Sequence, residues 1–263
     1  MSKIIALCNQ KGGVGKTTTA VNLGASLSVS EKRTLIVDCD PQANTTSGLG
    51  IDKNSLKSNT YDLFWGEGEA SGLILSGGLP FLDIIPSGSN LVGAEVELVG
   101  VEEREYRLKK ALAPLLPRYD YLLIDSPPSL GLLTLNGLVS AESVLIPVQC
   151  EYYALEGLSE LLKTIDLVKQ SLNPDLSIAG ILLTMFDARN NLARQVEGEL
   201  RSHFGETVFQ TVIPRNVRLS EAPSHGKPAL LYDVKSRGAQ SYLELAAEFL
   251  KRMEGQNQQV VNL

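Results

Sequence analysis

The residues best suited to chemistry lie near the start of the chain, in the stretch Asn9–Thr18. Its sequence is Asn-Gln-Lys-Gly-Gly-Val-Gly-Lys-Thr-Thr, between the apolar run Ile4–Leu7 and an amphipathic run. A glycine-rich turn between a strand and a helix directs backbone N–H groups and the positive end of the helix dipole at one point, which favours a bound phosphate. Lys16 would reach the β- and γ-phosphates of a nucleotide, and the Thr17 hydroxyl would hold Mg²⁺.

Two further apolar runs end in carboxylates. Asp38 and Asp40 follow Thr34–Val37 in the sequence Asp-Cys-Asp-Pro-Gln, and Asp125 follows Tyr121–Ile124 ahead of Ser-Pro-Pro. ATP hydrolysis needs an acceptor that orients water near the γ-phosphate and acids near Mg²⁺. The pattern before Asp125 predicts a carboxylate in the Mg²⁺ shell. Asp38 either supports the loop lysine or the Mg²⁺ shell, or caps the next helix.

One detail of the glycine-rich loop departs from the general phosphate-loop pattern. That pattern places a glycine where this chain has Gln10, and the chain instead has two glycines and a second lysine, Lys11. The loop resembles that of the deviant Walker A family, which includes ParA/Soj partition ATPases, MinD and the nitrogenase iron protein. The resemblance implies that Lys11 crosses a dimer interface to the other subunit's nucleotide. The residues implied to bind the nucleotide are Gln10, Lys11, Gly12, Gly13, Val14, Gly15, Lys16, Thr17 and Thr18.

Other segments narrow the resemblance to chromosomal ParA/Soj proteins, over nearly the whole chain from Ile4 to about Leu250. These are Asp-Pro-Gln, Ser-Pro-Pro and the segment that begins Pro-Arg-Asn-Val-Arg-Leu-Ser-Glu-Ala-Pro. The resemblance implies that Asp40 activates water, with Lys11 and Lys16 as the other catalytic residues. It implies a metal site formed by Thr17, Asp40 and Asp125. Met185 and Pro214 would sandwich the adenine, although core packing or a loop turn explains either residue equally well.

Charge is unevenly distributed along the chain. The net charge is −6, with 14 Lys+Arg against 22 Asp+Glu in residues 1–188 but 10 against 8 in residues 189–263. A surface for a polyanion should therefore lie in the last third. The resemblance implies that Arg189 and Arg218 bind double-stranded DNA without sequence preference, and Arg215 and Lys227 are further candidates. Any one of them alone is as well explained as a solvated surface charge.

The distribution of apolar runs predicts an α/β fold with a doubly wound, mostly parallel sheet flanked by helices, of the phosphate-loop NTPase type. We predict one domain over residues 1–255 and a polar tail over 256–263, with loops and short helices over Asn44–Leu79. The predicted strands are Lys3–Leu7, Thr34–Val37, Leu82–Ile85, Tyr121–Ile124, Val144–Val148, Ile178–Met185 and Val208–Ile213. The predicted helices are Thr17–Ser28, Glu102–Leu116, Leu130–Ala141, Leu155–Ser171, Asn191–Phe204 and Gly238–Met253.

The function implied by the resemblance is a slow ATPase that uses ATP and Mg²⁺, dimerises on ATP and segregates chromosome origins with a ParB-like centromere-binding partner. An odd cysteine count and the lack of a signal peptide favour a cytoplasmic protein, and the resemblance implies that it associates with the nucleoid. Plasmid-type relatives carry a helix-turn-helix domain before the loop, whereas eight residues precede Asn9 here, so we expect no operator-specific DNA binding.

Three alternatives remain open. A ParA-like ATPase that positions another cargo would have nearly the same sequence. A MinD-like membrane ATPase would need an amphipathic C-terminal helix, and the polar end of this chain instead predicts no stable membrane association. An iron–sulfur reductase would need paired cysteines at a dimer axis, whereas Cys8, Cys39 and Cys150 fall at or near predicted strand ends.

Overall fold

Seven strands form one sheet in the computed structural model, which describes residues 2–66 and 69–261, with side chains to residue 255. The strands are β1 (Lys3–Leu7), β2 (Thr34–Asp38), β3 (Leu75–Leu79), β4 (Leu82–Ile85), β5 (Tyr121–Asp125), β6 (Ser143–Gln149) and β7 (Ser177–Thr184). Their order is β3-β4-β2-β5-β1-β6-β7, and every neighbouring pair is parallel except β3–β4. The prediction of a doubly wound, mostly parallel α/β sheet is confirmed.

Helices cover both faces of the sheet. They are α1 (Lys16–Val29), α2 (Asn44–Gly48), α3 (Thr60–Trp65), α4 (Leu91–Glu97), α5 (Arg107–Leu112), α6 (Leu132–Ser140), α7 (Ala154–Ser171), α8 (Asn191–Phe204), α9 (Val217–Glu221), α10 (Ala229–Tyr232) and α11 (Arg237–Val261). Successive strand residues point to opposite faces, so Ile4 and Ala6 pack with α4 to α8 whereas Ile5 and Leu7 pack with α1 and α11. Burial on both faces explains the continuous apolar runs.

The order of the strands brings the predicted chemistry to one edge. Strand β5 lies between β1 and β2, and Asp125 is in register with Leu7 on one side and with Asp38 on the other. The glycine-rich loop leaves the end of β1 and enters α1 at Lys16. The loop and the carboxylates therefore meet at the carboxyl edge of the sheet, where open parallel sheets bind ligands.

Two predicted elements are wrong in detail. Residues 208–213 form no regular strand beside β7. Phe209 N–H donates to Ile181 O and Ile213 N–H to Leu183 O, but the N–H groups of Gln210 and Thr211 donate to the Glu248 carboxylate, each at 2.9 Å. The helix predicted over Glu102–Leu116 is divided into a 3₁₀ turn, α5 and a second 3₁₀ segment, Ala113–Arg118, which contains prolines 114 and 117.

Four further elements were not predicted. The edge strand β3 contains the pair Gly77-Gly78, which weakens the sequence signal for a strand. The short helices α4, α9 and α10 were also missed. At the C-terminus, α11 extends to Val261 and thus into the predicted tail, while Asn262 and Leu263 lie outside the described residues. No helix in the described part of the chain combines the length and apolar character that a bilayer crossing requires.

Candidate nucleotide-binding site

The glycine-rich loop has the backbone geometry of a phosphate cradle. Gly13 and Gly15 have φ of 75° and 89°, values that side chains with a Cβ rarely adopt, and α1 starts directly after Gly15. The Thr184 hydroxyl donates to the Val14 carbonyl at 2.8 Å, which ties the loop to the end of β7. The loop is therefore fixed at both the α1 and the β7 side, with its N–H groups at the N-terminus of a 14-residue helix.

The first predicted lysine lies inside this loop. Lys16 is 6% exposed, and its Nζ donates to the Lys11 carbonyl at 3.3 Å. Burial lowers the Lys16 pKa, while the nearby carboxylates of Asp125 and Asp40 act in the opposite direction. The ammonium group is thus folded over the cradle, where it would neutralise phosphate charge.

The predicted metal residues Thr17 and Asp125 are in direct contact. The Thr17 hydroxyl donates to Asp125 Oδ2 at 2.8 Å, and the Thr45 hydroxyl donates to the same oxygen at 2.7 Å. The other oxygen, Oδ1, is buried and has no hydrogen-bond partner among the residues that the structure describes. Burial raises the Asp125 pKa against the effect of the two hydroxyl groups. A hydroxyl group beside an unsatisfied carboxylate oxygen fits Mg²⁺, which binds through few protein ligands together with water and substrate phosphates.

The two aspartates after β2 have different environments. Asp38 is fully buried and accepts hydrogen bonds from the Thr46 N–H and hydroxyl at 2.9 and 2.7 Å, so it caps α2, which is one of the roles that the sequence left open for it. Burial and the neighbouring Asp125 raise the Asp38 pKa. Asp40 is 7% exposed, lines the cavity described below, and accepts the Gln42 N–H at 2.9 Å. Of the two, Asp40 is the carboxylate that faces the loop.

The side chain of the second lysine, Lys11, points away from the phosphate-binding loop of its own subunit. Lys11 Nζ forms an ion pair with Glu151, in the turn after β6, and both side chains are more than two-fifths exposed. The Lys11 backbone is held by Asn9, whose Oδ1 accepts the Lys11 N–H at 3.0 Å and whose Nδ2 donates to Pro147 O. The two lysines of the loop therefore point to different places, and only Lys16 occupies the cradle.

A cavity of about 580 Å³ extends from the loop towards the ends of the late elements. The predicted binding residues that line it are Gly12, Gly13, Gly15, Lys16, Thr17, Thr18, Met185 and Pro214. Gln10, Lys11 and Val14 do not line it. Met185 has a left-handed backbone, with φ of 48°, and the Phe186 N–H donates to Ile213 O, which joins the two predicted adenine segments. These segments lie together at the end of the cavity, as a base sandwich would require.

The four predicted DNA-binding residues are divided between this cavity and the surface. Arg215 and Lys227 line the cavity, and within the described residues their side chains make no ion pair. Arg189 is 91% exposed and pairs with Asp187, whereas Arg218 is half-exposed and pairs with Glu221 and Asp233. The segment from Pro214 to Lys227 thus contributes to the cavity and carries an exposed arginine.

Several residues of the site were missed by sequence reasoning. Thr45, Thr184 and Glu151 act through contacts between segments far apart in the chain, with separations of 80, 170 and 140 residues. The one feature of the sequence that could have identified them is their position. Each residue ends or follows a strand whose carboxyl end lies at the loop. The cysteines 8, 39 and 150 are free and buried, which is unsuited to a cluster shared across a dimer axis.

Comparisons with known proteins agree with this arrangement. A sequence profile described as an AAA domain matches residues 2–178. The chain is 58% identical over 252 residues to the chromosome partitioning protein ParA of Myxococcus xanthus, which covers 96% of this chain and 89% of that protein. It is 58% identical over 248 residues to the sporulation initiation inhibitor protein Soj of Bacillus subtilis, with coverage of 94% and 98%.

The fold is also found among solved structures. Cobyrinic acid a,c-diamide synthase from Mycobacterium smegmatis, with bound ATP analog and magnesium, superposes with a TM-score of 0.84 at 37% identity. The match covers 97% of this chain and 96% of that one. That protein binds a nucleotide and the cation for which the loop, Thr17 and Asp125 are suited.

Proposed function

The chain belongs to the ParA/Soj family of chromosome-partitioning ATPases, and from this premise we propose that it binds DNA without sequence preference as an ATP-dependent dimer. It is a phosphate-loop ATPase that uses ATP and Mg²⁺. The main support for the proposal is that one segment of the chain takes part in both the nucleotide cavity and the exposed basic surface. Residues 214–227 line the nucleotide cavity and also contain the exposed Arg218. A bound nucleotide would therefore contact the same segment that carries a proposed DNA-binding arginine.

The chemistry at the nucleotide follows from the groups at the sheet edge. Bound Mg²⁺ neutralises phosphate charge and orients the phosphates. Thr17 and Asp125 would hold it, with Asp125 Oδ1 as the free acceptor for its shell. Lys16 neutralises the β/γ-phosphates, and Asp40 accepts a hydrogen bond from the attacking water. Hydrolysis by the protein alone is proposed to be slow, as the partner-stimulated cycle below requires.

The environment of Lys11 supports the dimer. Its ammonium group points away from its own cavity and pairs with the exposed Glu151. Beside Glu151, the aromatic side chains of Tyr152 and Tyr153 are 75% and 65% exposed. A second copy on this face would cover both rings, and its nucleotide phosphates would replace Glu151 as the partner of Lys11. Lys11 would then act only when two loaded subunits meet.

The DNA part of the proposal is tested with a fluorescent duplex of random sequence. Anisotropy is measured with a non-hydrolysable ATP analogue and with ADP, from 50 to 200 mM salt. If each copy of a dimer places two to four cations on phosphates, the slope of log K against log salt is about −4 to −7. Equal binding with both nucleotides, or a slope near zero, would contradict the proposal.

A matched pair of variants tests the position of the surface. Arg189→Gln with Arg218→Gln should weaken binding and flatten the salt dependence, because each phosphate that is no longer neutralised removes about 0.9 from the slope. Lys163→Gln with Lys169→Gln, which removes two exposed cations from α7, should have no effect. A larger loss in the control than in the arginine variant would place the DNA surface elsewhere.

The proposed partner is a ParB-like centromere-binding protein, which would stimulate hydrolysis and release the dimer from DNA. Repeated cycles over the nucleoid would segregate the chromosome origin. Phosphate release is measured with that protein, DNA and ATP together. Stimulation that requires all three supports origin segregation, whereas no stimulation would favour a ParA-like positioner of another cargo. A fluorescent fusion should co-localise with the nucleoid.

A further inference from the structure

Arg218 is enclosed by acidic and aromatic side chains from two elements. Its Nη1 lies 2.7 Å from Glu221 Oε2, one turn along α9, and its Nε lies 3.3 Å from Asp233 Oδ2, just after α10. The guanidinium carbon is 6.0 Å from the centre of the Tyr232 ring, whose hydroxyl bonds to Glu221 at 3.3 Å. His225 stacks on the same ring at 4.9 Å. The guanidinium group is thus oriented by its neighbours while it remains half-exposed.

The second exposed arginine of this surface is held in a similar way. Arg189 Nε and Nη2 donate to the two oxygens of Asp187 at 3.0 and 2.9 Å, a bidentate pair. The two pairs differ in their charge balance. Arg189 faces one carboxylate, so that pair is neutral, but Arg218 faces two, so its cluster has a formal charge of −1. A DNA phosphate that approaches Arg218 meets net repulsion until a carboxylate is displaced.

We propose that Glu221 and Asp233 are positioning residues that hold Arg218 and make the DNA affinity of a single subunit low. This inference rests on the proposed function. A phosphate must compete with both carboxylates for the same guanidinium group, which one copy of the surface does weakly. In a dimer, two copies of this surface contact the same duplex. Once the first copy has bound, the second is held close to the DNA and binds at a high effective concentration. The carboxylates thereby make DNA binding depend on dimerisation, and hence on ATP.

The test uses amides of the same shape in place of the carboxylates. Glu221→Gln keeps an oxygen for the Tyr232 hydroxyl, and Asp233→Asn keeps one for the Lys235 N–H, which Asp233 Oδ1 accepts at 3.2 Å. The control is Glu160→Gln with Asp166→Asn, two exposed acids on α7 in the opposite helical layer, which makes the same change in net charge as the double variant. Binding to the random duplex is measured with the ATP analogue over a range of salt. Each variant is also made with Lys11→Ala, which holds the protein as a monomer.

The double variant Glu221→Gln, Asp233→Asn should bind DNA several-fold more tightly than the parent. The slope of log K against log salt should steepen by about 0.9 for each additional phosphate that a freed Arg218 neutralises. The Lys11→Ala monomer has one such arginine, and the dimer has two. The tighter binding must disappear when Arg218→Gln is added, because the carboxylates act through that side chain. The charge-matched control Glu160→Gln, Asp166→Asn should match the parent.

Other outcomes separate the two proposals. If the parent binds DNA with ATP but the double variant binds no better, or binds better even with Arg218→Gln, the role of the carboxylates is refuted and the proposed function stands. If neither protein binds DNA, both are refuted. If only the double variant binds, the carboxylates are confirmed as the restraint, and the parent is not a DNA-binding protein under these conditions.

Discussion

Replacing Asp125 by asparagine should raise the stability of the free protein and reduce the stabilisation that Mg·ATP adds. In the free protein, Asp125 is a buried carboxylate with one unsatisfied oxygen, beside the carboxylate of Asp38. Asparagine keeps an oxygen for the hydroxyls of Thr17 and Thr45 and removes the buried charge. Removing this buried, incompletely hydrogen-bonded carboxylate should raise the free energy of unfolding by about 1–3 kcal/mol. The lost attraction between Asp125 and Lys16 reduces this gain. The free variant should therefore be more stable than the parent.

For a chain of this size, 1 kcal/mol shifts Tm by about 2–4 °C, so the free Asp125→Asn protein should melt roughly 2–10 °C higher. In the parent, Mg·ATP at a hundred times its Kd should add ~2.7 kcal/mol of stability. In the variant, the part of that stabilisation that depends on Mg²⁺ should be lost. The assay is thermal unfolding of both proteins with no ligand, with ATP and EDTA, and with ATP and Mg²⁺.

Asp166→Asn, an exposed acid on α7, is the control and should behave as the parent in all three conditions. General damage would lower the Tm of the free protein, so the expected rise cannot come from misfolding. An Asp125→Asn protein with a lower Tm and an undiminished Mg²⁺-dependent stabilisation would refute the assignment of Asp125 to the metal.

Further predictions concern the other groups at the loop. Lys16→Ala should abolish ATP binding in calorimetry, because the β/γ-phosphates lose their cation; tight binding would count against the cradle. Asp40→Ala should bind ATP and dimerise but show no turnover, since the lost acceptor acts in the transition state, and it should accumulate on DNA; parental phosphate release would remove Asp40 from catalysis. Glu151→Gln frees Lys11 from an exposed ion pair worth about 0.2–1 kcal/mol, and each dimer breaks two such pairs, so the dissociation constant of the ATP-induced dimer should fall by about 2- to 30-fold; a rise would exclude competition by Glu151.

Much of the fold was predictable because its signals are local. The apolar runs of β1, β2, β5 and β6 are each continuous, and each is buried on both faces as such runs require. The exceptions have non-local causes. Residues 208–213 have the composition of a strand, but Glu248 from α11 takes the two N–H groups that a strand would give to its neighbour.

Functional residues of the site could be predicted where they lie within a single sequence motif. Residues of the loop and the acids at strand ends are identified by type and position, and Lys16, Thr17 and Asp125 do meet. Sequence spacing does not reveal a partner from another strand. Glu151, which holds Lys11, and the carboxylates around Arg218 were missed because fold topology, not sequence proximity, brings most of them together.

The central claim is that, in an ATP-dependent dimer, Lys11 contacts the nucleotide bound by the other subunit. Sedimentation tests this claim most directly. Parent and Lys11→Ala are compared with no nucleotide, with ADP and with a non-hydrolysable ATP analogue, after calorimetry has established that both bind the analogue. The parent should sediment as a monomer except with the analogue, where it becomes a dimer. Lys11→Ala should bind the analogue with near-parental affinity and remain a monomer. A Lys11→Ala protein that binds the analogue and dimerises as the parent does would contradict the account.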